Sequence, residues 1–232
     1  MMTLTDIVDW ETFERVLVQC RRCERLVAWR ERVAQEKRKS YRDWDYWGRP
    51  VPGFGDRNAR VWIVGLAPGA HGANRTGRMF TGDSSGDFLY SALYRAGFTN
   101  QPIARHRDDG LILREVYVSA VCRCAPPQNR PTHEELINCF PFLVWEFRHL
   151  AHLEGIVALG HIALKGVLQL LRISGCPEIA LPFEHGAFLP PDQKRPWILA
   201  SYHPSRQNTQ TGRLTVEMFD AIWQRVRGLL GE

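Results

Sequence analysis

Four short apolar runs alternate with helical patterns, and this alternation constrains the fold of the 232-residue chain more than any other feature. The runs are RVWIVGLAP, EVYVSAV, GIVALG and PWILASYHP. Helical periodicity covers roughly 84–95, 132–152, 161–171 and 215–229. Strands that alternate with helices form a mostly parallel sheet covered on both faces. The sequence therefore predicts an α/β fold around a mostly parallel four-stranded sheet.

Local signals place several helix ends. Thr132 and Glu135 form a capping box before an apolar stretch. Gly97 follows a helical pattern, where a glycine ends many helices. The first forty residues predict a helix interrupted at a cysteine pair, and the aromatic, glycine- and proline-rich stretch after them predicts a loop. With no repeat and no long linker, residues 1–232 are expected to form one domain.

The charge pattern favours an anionic partner. The formal net charge is +5, the pI is about 9.0, and 26 of the 30 basic residues are Arg. Arg suits bidentate contacts with phosphate, although a GC-rich genome produces the same bias. No apolar stretch approaches the ~20 residues that span a bilayer. The N-terminus has no apolar signal region, so we expect a cytoplasmic protein. We also expect it to act as a monomer.

The segments that follow the apolar runs hold most of the unusual chemistry. They are GLAPGAHG, CRCAPPQNRPT, GH and SYHPSRQNTQTGR. Ligands of parallel sheets bind outside the carboxyl ends of the strands, so these segments predict a site. The first continues as a glycine-rich stretch without the G-x-x-x-x-G-K-[ST] pattern of a phosphate-binding loop. Its glycines predict instead a pocket wall that a flat ligand can approach closely.

Four of the six cysteines form a candidate metal site. Cys20 and Cys23 lie in CRRC, and Cys124 and Cys139 bracket a proline-rich turn. Four thiolates suit either zinc or a [4Fe–4S] cluster, and their spacing alone does not choose between them. Cys122 could replace Cys124 but lies in the predicted strand itself. Cys122 and Cys176 are otherwise expected to be small buried side chains.

Three motifs and the cysteine frame together resemble the family 5, or type B, uracil-DNA glycosylases. The motifs are GLAPGAHGANRTGRMFTGDSSG, CRCAPPQNRPTHEELINC and SYHPSRQNTQTG. Family 4 enzymes typically carry GEAPG where this chain has Leu66, which favours family 5. The resemblance implies a three-layer α/β/α sandwich and a structural [4Fe–4S] cluster, with four ligands: Cys20, Cys23, Cys124 and Cys139. It also implies hydrolysis of the N-glycosidic bond of deaminated bases in DNA.

The resemblance implies roles for individual residues. Phe80 would stack on the flipped base, against a wall formed by Gly65, Leu66 and Ala67. Asp83 would stabilise the positive charge that develops on the sugar, and His203 would donate a hydrogen bond to the departing base. Asn129 would be a third catalytic residue that binds water, or would bind a phosphate. The alternatives are a core position for Phe80, a helix N-cap for Asp83 and a turn for Asn129.

Ser119 is the main departure from the related family 4. Those enzymes place an Asn on this strand, where its amide pairs with uracil. A hydroxyl both donates and accepts, so Ser119 predicts a broader range that includes hypoxanthine and xanthine. DNA contacts are expected in two places. One is Arg75. The other is the flexible segment 205–213, which would enter the minor groove and contact DNA through Ser205, Arg206, Gln207 and Arg213. The alternative for this segment is a solvated loop.

Two readings of the function follow. The first is a monofunctional DNA glycosylase that uses water, because no lysine lies in the candidate motifs and Lys165 belongs to a predicted helix. The alternative is a non-catalytic DNA-binding module stabilised by zinc. An assay for base excision distinguishes the two functions. Iron and sulfide content distinguishes a [4Fe–4S] cluster from zinc at the cysteines.

Overall fold

A computed structural model describes residues 4–176, 180–193 and 195–231 of the chain. Residues 1–3, 177–179, 194 and 232 of the predicted domain lie outside the described residues. The described chain contains six strands: β1 Phe54–Gly55, β2 Val61–Gly65, β3 Val116–Ala120, β4 Gly155–Leu159, β5 Phe188–Leu189 and β6 Trp197–Ser201. It contains eight α-helices: α1 Trp10–Val18, α2 Glu24–Glu36, α3 Ala73–Thr76, α4 Ser84–Arg95, α5 His133–His149, α6 His161–Ile173, α7 Arg206–Gln210 and α8 Val216–Leu229.

The strands form one sheet in the order β1-β3-β2-β4-β6-β5. The four central strands are parallel, with Val61 opposite both Val116 and Gly155. These are the four predicted strands, and the α/β prediction is confirmed. The edge strands β1 and β5 run antiparallel to their neighbours β3 and β6. Each is only two residues long, which is too short to show a periodic pattern in the sequence. β1 lies within the stretch predicted as a loop.

Helices cover both faces of the sheet. Alternate residues of the central strands point to opposite sides, which is why each strand is buried along its whole length. On one face, Ile63 and Val118 pack with α4 and α8. On the other, Trp62 and Ile156 pack with α5 and α6. The result is the three-layer sandwich that the resemblance implied.

The N-terminal helices attach to this sandwich through α5. Phe13 of α1 stacks on Trp145 of α5, with ring centroids 3.9 Å apart. The turn between α1 and α2 carries Cys20 and Cys23, and it is thereby held beside Cys139 on α5. The capping box at Thr132 is present as predicted. No helix in the described ranges is long and apolar enough to cross a membrane.

Candidate active site

Phe80 lies in a strained backbone conformation beside the end of β2. Its φ of 51° is in the left-handed region, which is unusual for a bulky residue. Two glycines make the conformation possible. A Cβ on Gly65 would lie 2.7 Å from the Phe80 ring, and a Cβ on Gly86 would lie 1.7 Å from the Phe80 carbonyl oxygen. The ring therefore packs directly on the backbone at the carboxyl end of β2.

Asp83 is three residues further on and has two distinct oxygens. Oδ1 accepts hydrogen bonds from the backbone of Ser85 (3.1 Å) and Gly86 (3.0 Å), so Asp83 is the N-cap of α4. Oδ2 lies against Gly69 and Gly72 and has no hydrogen bond within the described part of the chain. Burial raises the pKa of the Asp83 carboxyl. The N-cap role therefore leaves one oxygen available for chemistry.

His203 follows β6 and meets Phe80. The two ring centroids are 5.9 Å apart, with the ring planes at 30°. Its backbone carbonyl accepts a hydrogen bond from Asn208 Nδ2 (2.8 Å), which fixes the segment after the strand. Burial lowers the pKa of His203 to about 4. The imidazole is therefore neutral at physiological pH and keeps one N–H donor.

Ser119 does not join these residues, and its predicted contact with the base is corrected here. The side chain is fully buried on the opposite face of the sheet. Its hydroxyl accepts from Trp62 Nε1 (2.9 Å) and donates to Glu146 Oε2 (2.8 Å). Glu146 also forms a buried ion pair with Arg123. The hydroxyl is thus committed to a core network away from Phe80.

Arg75 is also placed differently from the prediction. Its side chain is only 3% exposed, so its guanidinium is not presented to a DNA backbone. The guanidinium carbon lies 3.9 Å from the ring centroid of Tyr41 and 4.0 Å from that of Trp44. Sequence analysis did not predict this enclosure, because the two rings come from the aromatic loop much earlier in the chain.

The remaining predicted DNA contacts lie on the surface. Arg206 and Gln207 are exposed on α7, a short helix where a flexible segment was predicted, and Ser205 caps it by accepting from Asn208 N (3.3 Å). Arg213 is exposed and lies over Tyr202, 4.7 Å from the ring centroid. This arrangement leaves three polar side chains available to a nucleic acid.

Asn129 and the wall residues complete the predicted set. Asn129 is exposed, with a left-handed φ of 56°, directly after Gln128 with φ of 55°. No hydrogen bond joins the Asn129 side chain to another of the described residues. Leu66 packs on the face of the sheet that α5 and α6 cover, and Ala67 packs against the cysteine cluster that includes Cys124 and Cys139. The peptide that follows Gly65 thus links the pocket wall to the cysteine site.

The structure brings the four predicted cysteine ligands to one cavity. Its lining includes Cys20, Cys23, Cys124 and Cys139. Cys122 does not line it but packs beside Cys124 and Cys139, and its thiol donates to the Cys124 carbonyl (3.4 Å). No group of three or more His, Cys, Asp or Glu side chains in the described ranges is arranged to hold a single metal ion.

Donors point at the sulfurs of this cavity. Arg30 Nη1 donates to Cys124 Sγ (2.9 Å), and Asn138 Nδ2 donates to Cys23 Sγ (3.5 Å). Arg30 is itself buried. Burial raises the pKa of Cys124 to about 12, while the Arg30 cation opposes that shift. A cation and an amide facing thiols fit a site that holds an anionic thiolate-bound group.

Tyr46 and His71 form a contact that the sequence analysis missed. Tyr46 Oη lies 3.0 Å from His71 Nδ1, and burial lowers the pKa of His71. His71 stands between Gly69 and Gly72 in the loop that borders Asp83. Its place within the first motif was a signal that could have drawn attention to it.

Comparison with known proteins agrees with this architecture. The parallel sheet groups Phe80, Asp83 and His203 at its carboxyl edge, where α/β enzymes bind their ligands. A model of the uracil DNA glycosylase superfamily matches residues 52–227. The chain belongs to that superfamily, in its type-5 family, as three curated relatives show.

All three relatives are named type-5 uracil-DNA glycosylase. The protein of Thermus thermophilus is 52% identical over 97% of this chain and all of its own length. That of Mycobacterium bovis is 49% identical over 91% of this chain and 78% of its own length. That of Pyrobaculum aerophilum is 47% identical over 93% of this chain and 91% of its own length. The resemblance to family 5 is thereby confirmed.

Proposed function

We propose that the chain is a monofunctional DNA glycosylase that acts as a monomer. It removes uracil from DNA by hydrolysing the N-glycosidic bond with water and leaves an abasic site. The observation that carries the proposal is the grouping of Phe80, the free oxygen of Asp83 and a neutral His203 at one edge of the sheet. The activity named for the three relatives supports it.

The chemistry divides between Phe80 and Asp83. A glycosylase extrudes its target nucleotide and holds the base in a pocket, where an aromatic ring supplies a stacking surface. As the bond breaks, positive charge develops on the sugar. Asp83 Oδ2 stabilises that charge and orients the attacking water, while Oδ1 remains bound to the backbone. The N-cap hydrogen bonds thus fix the carboxylate in place.

His203 stabilises the leaving group. The departing uracil carries negative charge on an oxygen, and a positioned hydrogen-bond donor lowers the energy of that state. Since burial holds the pKa of His203 near 4, the donor at neutral pH is a neutral imidazole. The base leaves as an anion that accepts a hydrogen bond, without prior protonation by His203.

The exposed side chains after β6 would bind DNA. Arg206 and Arg213 supply contacts with phosphate, Gln207 lies beside them on α7, and Ser205 fixes the start of that helix. Such contacts provide affinity that depends on salt and carries no sequence preference. Asn129, exposed in the segment that follows β3, would contact water or phosphate.

The proposed substrate range extends to hypoxanthine and xanthine. The reason differs from the sequence prediction, because the Ser119 hydroxyl is bound to Trp62 and Glu146. Strand β3 therefore presents no side chain that reads the edge of uracil at this position. Stacking on Phe80 tolerates any flat base. Excision of uracil alone, from oligonucleotides that carry each of the three bases, would contradict this extension.

The cysteine cavity would hold a structural [4Fe–4S] cluster through Cys20, Cys23, Cys124 and Cys139. Bound there, the cluster would tie α1 and α2 to α5 and to the segment after β3. Purified protein should contain iron and acid-labile sulfide. Cys23→Ser should lose both, while the matched variant Cys122→Ser keeps both. Stoichiometric zinc without iron would overturn this assignment.

The activity is tested with a duplex that carries one uracil, with and without alkali after incubation. Strand breakage only after alkali is expected of a monofunctional glycosylase. Asp83→Asn and His203→Gln should each slow excision under single-turnover conditions while DNA affinity is retained. Breakage without alkali would instead indicate a lyase. DNA binding without excision of uracil, hypoxanthine or xanthine would support the non-catalytic module.

A further inference from the structure

Arg75 is a buried cation without a carboxylate partner. It forms no ion pair with any of the described residues, and its guanidinium packs against the faces of both Tyr41 and Trp44, whose rings are nearly perpendicular to each other. One guanidinium nitrogen, Nη1, is buried and has no hydrogen-bond partner. Burying a charge costs free energy unless ion pairs and hydrogen bonds compensate for the lost hydration. The structure thus requires an explanation for Arg75 other than DNA binding.

Two side-chain hydrogen bonds of Arg75 connect the glycine-rich loop to the residue before Asp83. Nε donates to the carbonyl of His71 (2.7 Å), and Nη2 donates to the carbonyl of Gly82 (2.7 Å). His71 lies in the loop whose glycines contact Asp83 Oδ2, and Gly82 directly precedes Asp83 in the chain. The planar guanidinium therefore fixes the spacing between the loop and the carboxylate that packs on it.

We propose that Arg75 is a positioning residue for Asp83: it clamps the glycine-rich loop to the residue before the carboxylate and places a positive charge near it. The inference rests on the proposed glycosylase function. It assigns to Arg75 an effect on the rate of bond cleavage and none on DNA affinity.

The charge of Arg75 also affects the ionisation of Asp83. Burial raises the pKa of Asp83, and Asp87 on α4 raises it further, whereas Arg75 on α3 and the backbone N–H groups of Ser85 and Gly86 lower it. The buried Tyr90 of α4 is neutral, since burial holds its pKa far above physiological pH. Loss of the Arg75 cation should therefore move the acid limb of the pH–rate profile to higher pH.

The test compares Arg75→Gln and Arg75→Lys with wild type in single-turnover excision of uracil from a duplex. Arg75→Gln should lose about 10- to 100-fold in rate, as expected for a misplaced catalytic group, with its acid limb moved upward. Arg75→Lys keeps the charge but not the planar fork, so it should lose rate while its acid limb stays in place. Affinity for DNA and its salt dependence should be unchanged in both variants.

Arg32→Gln is the matched control, because Arg32 also stacks on a tryptophan but is 57% exposed and lies on α2, outside the glycine-rich loop and the start of α4. The melting temperature of every variant is measured to check that it folds. If Arg75→Gln does not fold, Arg75→Lys alone decides the test. Weaker DNA binding, a shallower salt dependence and an unchanged rate at saturation would overturn the inference. An inactive wild type would instead refute the proposed function, so the two failures are distinguishable.

Discussion

Replacing Gly72 with Ala should disable the site through a single steric contact. A Cβ at position 72 would lie 1.9 Å from Asp83 Oδ2 and 2.6 Å from its Cγ, whereas ordinary contacts begin at 3.4 Å. The carboxylate must therefore retreat by roughly 1.5 Å. A displacement of about 1 Å at a catalytic group costs on the order of 100-fold in rate. We expect at least that loss in single-turnover excision.

The same contact should also lower the stability of the fold. Inserting a methyl group into a packed region typically costs about 1–3 kcal/mol, and urea titration measures this cost. Gly228→Ala is the matched control, because nothing lies within 4 Å of a Cβ at that position in α8. The control should gain about 0.5–1 kcal/mol, since alanine favours helix over glycine, with no change in rate.

A double-mutant cycle isolates the contact between Gly72 and Asp83. In the Asp83→Ala background the carboxylate is gone, so Gly72→Ala should cost little further rate or stability. The expected coupling between the two positions is about 1–3 kcal/mol. If Gly72→Ala destabilises both backgrounds equally, or if it leaves the excision rate intact, the steric argument is wrong.

Three further predictions concern pH, salt and the core. Because burial lowers the pKa of His203 from 6.5 to about 4, the unfolded state binds its proton first as pH falls. Wild type should therefore lose about 3 kcal/mol of unfolding free energy between pH 6.5 and 4 that His203→Gln does not lose, measured by urea titration. Arg206→Ala should weaken DNA binding and reduce the salt slope by about 1, measured by fluorescence anisotropy. Glu146→Ala leaves Arg123 buried without its partner, so calorimetry should show a loss of about 3–5 kcal/mol.

The central fold was predictable because its signals are local. Each parallel strand is an apolar run, and α4 begins at Ser84 and ends at Arg95 as its pattern predicts. The edge strands β1 and β5 were not predictable, since two residues define no period. They form because the outer strands of the parallel sheet still have backbone groups to pair.

The site was predictable in part. Phe80, Asp83 and His203 lie in short motifs, and the structure brings them together. Arg75 was misplaced because residues that are distant in sequence enclose it, and no local pattern reports that contact. Ser119 was misplaced for a different reason. Strand alternation puts it on the same face as Tyr117, two residues earlier, and this parity was available in the sequence.

The left-handed backbone of Phe80 has a consequence for how a base is captured. Such a conformation costs of order 1–3 kcal/mol at a bulky residue, and the other interactions of the folded protein offset this cost already in the absence of DNA. The ring then has little conformational entropy left to lose when a base stacks on it. Stacking of about 1–3 kcal/mol can therefore oppose re-pairing of the extruded nucleotide. We expect the protein to act as a rigid receptor, so that opening of the duplex limits the rate of capture.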